Sequence, residues 1–345
     1  MTTTTHDGAD AATRRPARVR LLWLLGVVVL LAFLMVASVA LGSRSVAWSD
    51  VWAALGGADG SMEEAAVTKR IPRTVLAVIV GAALGISGAV MQGVTRNPLA
   101  DPGILGVNMG ASLAIVIGVA FFGLSTATGY VWVAMAGAGL AAVFVYTVGS
   151  LGRGGATPLK LALAGAATSA ALASLVTAVM LPRNDIAGGI RLWQIGGVGG
   201  ASFERMGHLL PFLAVGLALC LLSARALNSL ALGDELAAGL GERVARARAL
   251  AALGAVVLCG TCTAAAGPIG FVGLVVPHMC RLLVGPDHRW LLPFSALTGA
   301  SLLTAADVVG RIVARPSEVD VGIVTALIGA PFFLYIVRRQ KVREL

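Results

Sequence analysis

Four long stretches of this chain, residues 103–152, 161–182, 249–277 and 321–337, contain no Asp, Glu, Lys, Arg or His. A surface element of a water-soluble domain needs polar side chains on its solvent face, so stretches like these do not suit one. A helix rises ~1.5 Å per residue, so about twenty apolar residues cross the hydrocarbon core of a bilayer. Hydrocarbon offers no partner to backbone N–H and C=O groups, and each stretch must therefore satisfy its own as helix. The composition agrees: 57% of residues are hydrophobic and 12% charged, with mean hydropathy +0.88. An ordinary soluble domain is excluded; the distribution of charge says more than the net +9, since ionisable groups fall almost entirely between the apolar runs, and a lipid bilayer rather than nucleic acid is the expected partner.

Divided at its charges and turn residues, the chain reads as an all-α polytopic membrane protein of about ten spans. They cover 21–41, about 70–95, 103–122, 130–150, 159–181, 206–226, 249–266, 267–278, 291–310 and 319–337. Residues 1–20, polar and ending in arginines, read as a disordered basic cytoplasmic tail before one domain over 21–345. A cleavable signal peptide competes for 21–41, because Ser38-Val39-Ala40 resembles a cleavage site, but the apolar run is long for one. With both termini cytoplasmic, the larger share of the 26 lysines and arginines falls on the inner side, as the positive-inside rule requires. The 44 glycines suit closely packed membrane helices. Cys259 and Cys262 form a C-x-x-C that a metal or redox pair could use. With no flanking His or acid, they read with Cys220 and Cys280 as reduced packing residues. His278 and His288 are isolated and read as structural, so no metal site is expected.

The omissions are equally informative. Carriers driven by protons or sodium place carboxylates, histidines or broken helices near the midplane, and those depths are bare of ionisable groups. Lys69, Lys160 and Lys341 are the only lysines, none in a G-K-[ST] setting, so no P-loop exists to hydrolyse ATP. Paired carboxylates, a Ser/His set or H-E-x-x-H are also missing at membrane depth, and the chain is not expected to be an enzyme or to hold a cofactor. Uphill movement then needs an external motor and a cytoplasmic surface to receive it. Within 228–248, Leu232, Leu236 and Leu240 recur at helical spacing, and Asp234 and Glu235 suit a first turn. A helix lying on the inner leaflet is the competing reading. On the outer side Arg70, Pro72 and Arg73 open the second span, and Asp307 and Arg311 stand one turn apart. Interfacial snorkelling and a weak i,i+4 pair account for them without function.

A resemblance adds to this. R-x-P-R (70–73), G-A-A-L-x-x-S-G-x-x-M-Q (81–92) and R-N-P-L-A-D-P-x-x-L-G (96–106) resemble the signature of the FecCD family. Its members are permease subunits of bacterial ABC importers for iron-siderophore complexes, haem and vitamin B12. The likeness continues through 267–289, 292–311 and 317–333, so it covers roughly 45–340, with Gln92, Asn97, Pro98, Asp101 and Pro102 as signature positions. It implies a plasma-membrane permease that pairs with a second copy or a paralogue. Two partner ATPase subunits would hold ATP and Mg, and an extracytoplasmic binding protein would deliver a ferric siderophore, with haem or cobalamin as alternatives. It further implies that Arg70, Arg73 and Arg311 meet acids of that binding protein. ATPase coupling would fall on Gly233, Asp234, Glu235, Ala237 or Ala238, Leu240 and Gly241, and a cytoplasmic gate on Thr157, Pro158 and Leu159. Ser87, Gln92, Thr168, Ser169 and Ser174 are available to a path, each also readable as a packing residue. Two positions depart from the family. Gly197 replaces the serine of a W-x-x-G-S outer half-helix that begins at Trp193, and Asp320 replaces the proline of E-x-P-x-G at 318–322.

Overall fold

A computed structural model of the chain describes residues 16–58, 60–152 and 157–341. The first fifteen residues of the expected tail, Asp59, the Arg153-Gly154-Gly155 turn and Arg343 lie outside that range. The described elements are helices: α1 (Ala17–Ala40), α2 (Trp48–Leu55), α3 (Met62–Thr95), a 3₁₀ turn (Pro102–Leu105), α4 (Val107–Phe122), α5 (Ala127–Ser150), α6 (Pro158–Met180), α7 (Asn184–Ile195), α8 (Phe203–Leu222), α9 (Ala224–Leu230), α10 (Asp234–Gly239), α11 (Val244–Ala266), α12 (Val272–Val284), α13 (His288–Val313) and α14 (Val321–Lys341). Seven are long and apolar enough to cross a membrane, namely α1, α3, α5, α6, α8, α11 and α13. Three shorter apolar helices come from α4, α12 and α14. Together they answer to the ten spans read from the sequence.

Several boundaries move; α11 takes in residues 244–248 of the stretch expected to lie outside the spans, and α12 runs on past 278 to Val284. Helix α1 takes in residues 17–20 of the expected tail. Helix α3 begins at Met62 rather than near Arg70, because Ser61 accepts from Glu64 N while the Glu64 carboxylate accepts from Ser61 N. That reciprocal cap starts the helix, and Pro72 is carried inside it. The sixth span divides at Ser223 into α8 and α9. The eighth loses its first residues: 267–271 are not helical, and α12 starts after Phe271, which is held at φ +68°. Non-helical backbone at such a depth survives only where protein or a cavity covers it.

The centre of the bundle is α3, whose apolar window is 78% buried against 6% for α1. Lipid is as apolar as leucine, so helices associate there through close van der Waals approach rather than hydrophobic burial. Antiparallel α13 approaches α3 at such small residues. A Cβ on Gly81 would lie 2.4 Å from the Gly299 carbonyl oxygen, and one on Gly299 would lie 2.2 Å from that of Gly81. All four cysteines are buried and free. Cys259 meets Asn108, Cys262 meets Val80 and Cys280 meets Thr298, three separate contacts that match the packing reading. The bundle has a rim end, where α3 starts and α13 finishes, and an elbow end, where α3 finishes among α9, α10 and the start of α11.

Candidate docking rim, coupling elbow and pathway

At the rim, the last carbonyls of α1 have no partner within the helix and form the negative end of its dipole. Two arginines from other helices satisfy them. Arg70 Nη1 donates to Val39 O at 3.2 Å and Ala40 O at 3.0 Å, and its Nη2 donates to Arg44 O at 2.8 Å. Arg311 Nη1 donates to Ser38 O at 2.8 Å and Leu41 O at 3.0 Å, and its Nη2 to Ser38 Oγ at 2.6 Å. A 2.7 Å bond between the Ser38 and Thr74 hydroxyls joins α1 to α3 beside them. Arg70 is 7% exposed and Arg311 1%, so snorkelling to the surface describes neither. The Asp307–Arg311 pair is no solvent-screened i,i+4 contact: its atoms stand 2.9 Å apart with each side chain 1% exposed.

Arg73 completes the cluster. Its Nε and Nη2 donate to Asp307 at 2.8–3.2 Å, and its Nη1 donates to Glu318 Oε2 at 2.6 Å. Glu318 Oε1 accepts from Ser43 Oγ at 2.8 Å. Burial would push the Glu318 carboxyl up, but the hydrogen bond and charge of Arg73, with Ser43, hold it below the ordinary carboxylate range. Asp320 goes the other way: burial first, then Glu318 and Asp307 against a favourable Arg73, raise it. It stands immediately before α14, its carbonyl accepts from Ile323 N and Val324 N, and its carboxylate lies where a Cβ on Gly197 would come within 2.6 Å. The two positions that depart from the family pattern therefore touch. Gly322 N donates to Gly196 O at 2.9 Å, and Gly197 N to Ala266 O at 2.8 Å, which fastens the end of α7 to α14 and α11.

At the elbow, Arg96 ends α3 in the left-handed region (φ +50°). The signature that follows is a built turn: Asn97 Oδ1 accepts from Leu99 N at 2.9 Å, and Asp101 Oδ1 accepts from Gly103 N at 2.8 Å, capping the 3₁₀ turn that Pro102 opens. Gln92 donates to the Gly273 and Leu274 carbonyls and accepts from Arg281, pinning the first turn of α12 to α3. Asp234 accepts two bonds from Arg248, at 2.8 and 3.0 Å, and lies 3.2 Å from Arg96. Gly233 sits at φ +108° and Gly241 at φ +87° around α10, values that favour glycine. Ala237 is fully buried and Ala238 exposed, so of the two it is Ala237 that packs inward. Glu235 points to solvent, and Leu232, Leu236 and Leu240 are 58%, 62% and 66% exposed. Asn228 of α9 donates to Asp287 at 2.7 Å and accepts from His288 N and Nδ1, both at 2.9 Å.

A cavity of about 370 Å³ lies between α6, the 3₁₀ turn, α12 and α14, lined by Asp101 and Ser169 with Phe271, Leu274 and Phe333. Its walls include the non-helical lead into α12. A second cavity, about 320 Å³, lies behind α7 against Trp193, Tyr130 and Arg205. Thr157 Oγ1 caps α6 by accepting from Lys160 N at 3.3 Å, Pro158 is the first helical residue, and Leu159 is 70% exposed. Ser87 is buried and bonds back to Leu84 O, and Ser174 bonds to Ala170 O, so both satisfy backbone. His278 packs edge-on against Phe332. Among the described residues no three His, Cys, Asp or Glu side chains converge as a metal site requires. The residues that sequence reasoning missed are Ser38, Asn228, Arg248 and Glu318, and the place of Arg96 beside Asp234. Their partners lie 14 positions away for Arg248 and Asp234, and 273 away for Ser38 and Arg311, and are not neighbours on one helix, a relation that no local spacing records.

The profile of the FecCD transport family matches residues 30–339. The chain is 44% identical over 336 residues to the ferric enterobactin transport system permease protein FepD of Escherichia coli (strain K12), covering 97% of this chain and 98% of that one. It is 44% identical over 306 residues to the iron(3+)-hydroxamate import system permease protein FhuB of Bacillus subtilis (strain 168), 88% and 79% covered. It is also 44% identical over 279 residues to the cobalamin import system permease protein BtuC of Halobacterium salinarum, 81% and 74% covered. A solved structure described as an inward-facing metal-chelate type ABC transporter superposes with TM-score 0.79 at 29% identity, covering 92% of this chain and 99% of that one.

Proposed function

The chain belongs to the FecCD transport family, and from that membership we propose that it is the membrane permease of an ABC importer that carries ferric siderophore complexes inward. The observation that carries the reading is near full-length similarity, 44% identity over 97% of the chain, to a ferric enterobactin permease. Two permease chains, identical or paralogous, would enclose the path, with two ATPase subunits on the elbow and a binding protein on the rim. The elbow end is then cytoplasmic. Its exposed leucines, on the six-residue α10 and its flanks, would enter a groove of the ATPase. The carboxylate of Asp234, gripped by Arg96 and Arg248, would tie that movement to the foot of α3.

Closure of the ATPases on ATP would push α10, and α3 and α11 would transmit the displacement through their shared packing, re-orienting the two chains about the path. Thr157, Pro158 and Leu159 would narrow that path at its inner end. No chemistry on the cargo is required, and ATP with Mg belongs to the partner. At the rim, Arg73 is the arginine within reach of a docking acid, while Arg70 and Arg311 support it from inside by holding α1.

The test is uptake by proteoliposomes holding the permease with its ATPase and binding protein. Ferric enterobactin or a ferric hydroxamate should accumulate with ATP, and accumulation should stop when the ATPase carries an inactivated P-loop lysine. Uptake that persists without ATP hydrolysis would overturn the importer reading. Accumulation of cobalamin but of neither iron chelate would overturn the cargo.

A further inference from the structure

Arg73 faces two ways. Toward the core, its Nε and Nη2 grip Asp307, which is 1% exposed and held again by Arg311. Toward solvent, its Nη1 meets Glu318, whose side chain is 36% exposed. The two acids also differ in what carries them: Asp307 is built into α13, whereas Glu318 rides on the connection 314–320 that leads into α14. A carboxylate arriving from another protein would approach Arg73 from the side that Glu318 already covers. The surroundings carry Arg44, Lys69 and Arg315, all exposed at this end, against Glu63 and Glu64 on the first turn of α3.

Resting on the docking reading of the rim, we propose that Glu318 is a displaceable internal substitute for the acid of a docked binding protein. On docking, a carboxylate of that protein takes Arg73 Nη1, Glu318 turns to solvent, and the 314–320 connection is released. Asp307 keeps Arg73 aimed throughout, so one ion pair at the edge of solvent, with Arg73 12% and Glu318 36% exposed, replaces another and the exchange is nearly neutral in free energy. The release is felt further in. Two residues beyond Glu318, Asp320 lies against Gly197, and Gly322 N bonds Gly196 O at the end of α7. Arrival of the binding protein is thereby relayed to α14 and α7 by loss of a contact.

The experiment uses the complete importer in nanodiscs and its cargo-free binding protein as the probe, with affinity read by biolayer interferometry and amide hydrogen exchange followed over 314–322. Glu318→Ala should bind about two- to fivefold tighter, the range that one ion pair at the edge of solvent gives, and Glu318→Gln less so. In the unaltered protein, exchange over 314–322 should rise on docking. In Glu318→Ala it should be raised beforehand and change little. If Arg73→Ala weakens docking while both Glu318 variants bind as the parent or more weakly, the exchange is overturned and the docking reading stands. If Arg73→Ala also binds unchanged, the docking reading itself falls.

Discussion

The rim and the elbow use the same materials, arginines and an aspartate, to opposite ends. At the rim, Asp307 is shared by Arg73 and Arg311, and it and Arg311 are each 1% exposed. At the elbow, Asp234 is shared by Arg96 and Arg248, and all three side chains are 27–44% exposed. A buried cluster is costly to disturb because a charge left without its partner has no water to turn to. A solvated one is screened and individually worth little. The rim is therefore built to hold α1, α3, α13 and the head of α14 in one arrangement, and the elbow to shift.

The largest effect that separates the two regions should come from Asp307→Ala. It leaves Arg73 and Arg311 facing each other without a common acid, and the loss should be about 3–5 kcal/mol, read as a lowered Tm in detergent with earlier exchange over the end of α1. An unchanged Tm would mean that the rim is as solvated as the elbow, and the contrast would collapse.

How much of this was legible in the sequence follows from the range of each interaction. Hydropathy located the spans, because the bilayer acts on every residue of a run alike. The start of α3 was also readable, since Ser61-x-x-Glu64 is a capping box, but the arginines and proline downstream drew the boundary to themselves. Of the rim, the arginines and the Asp307–Arg311 pair were readable, but not what the arginines hold. Arg311 and Ser38 are 273 positions apart, and nothing near Arg311 announces that its guanidinium caps another helix. The elbow was half readable: leucine spacing and acids marked α10, while Arg96 stood in a stretch noted only for its family resemblance.

A middle-sized effect tests how closely the rim's outer edge is packed. Gly197 and Asp320 stand where the family pattern has serine and proline, and a Cβ on Gly197 would meet Asp320 Oδ1 at 2.6 Å. Gly197→Ser should cost about 1–2 kcal/mol of stability, less than the Asp307 change because the Asp320 carboxylate can swing aside. Asp320→Ala in the same chain should restore most of it, a coupling that a double-mutant cycle measures. Additive losses would show the two positions to be independent.

The smallest effect belongs to the elbow, and its smallness is what the comparison requires. Asp234→Asn removes the charge that Arg96 and Arg248 share while keeping an oxygen for one of them. With every partner partly in water, the loss of thermal stability should be no more than about 1 kcal/mol. Most of the pair's contribution should already be gone in 1 M salt, where screening acts within about 3 Å. Function should not follow stability. If Asp234 ties α10 to the foot of α3, the variant should hydrolyse ATP in the assembled importer at a near-parental rate yet move less cargo per ATP. The Asp307 variant should lose transport and folded protein together. A large drop in Tm for Asp234→Asn would make the elbow a second structural cluster. Unchanged transport per ATP would leave the exposed leucines to carry coupling without the carboxylate.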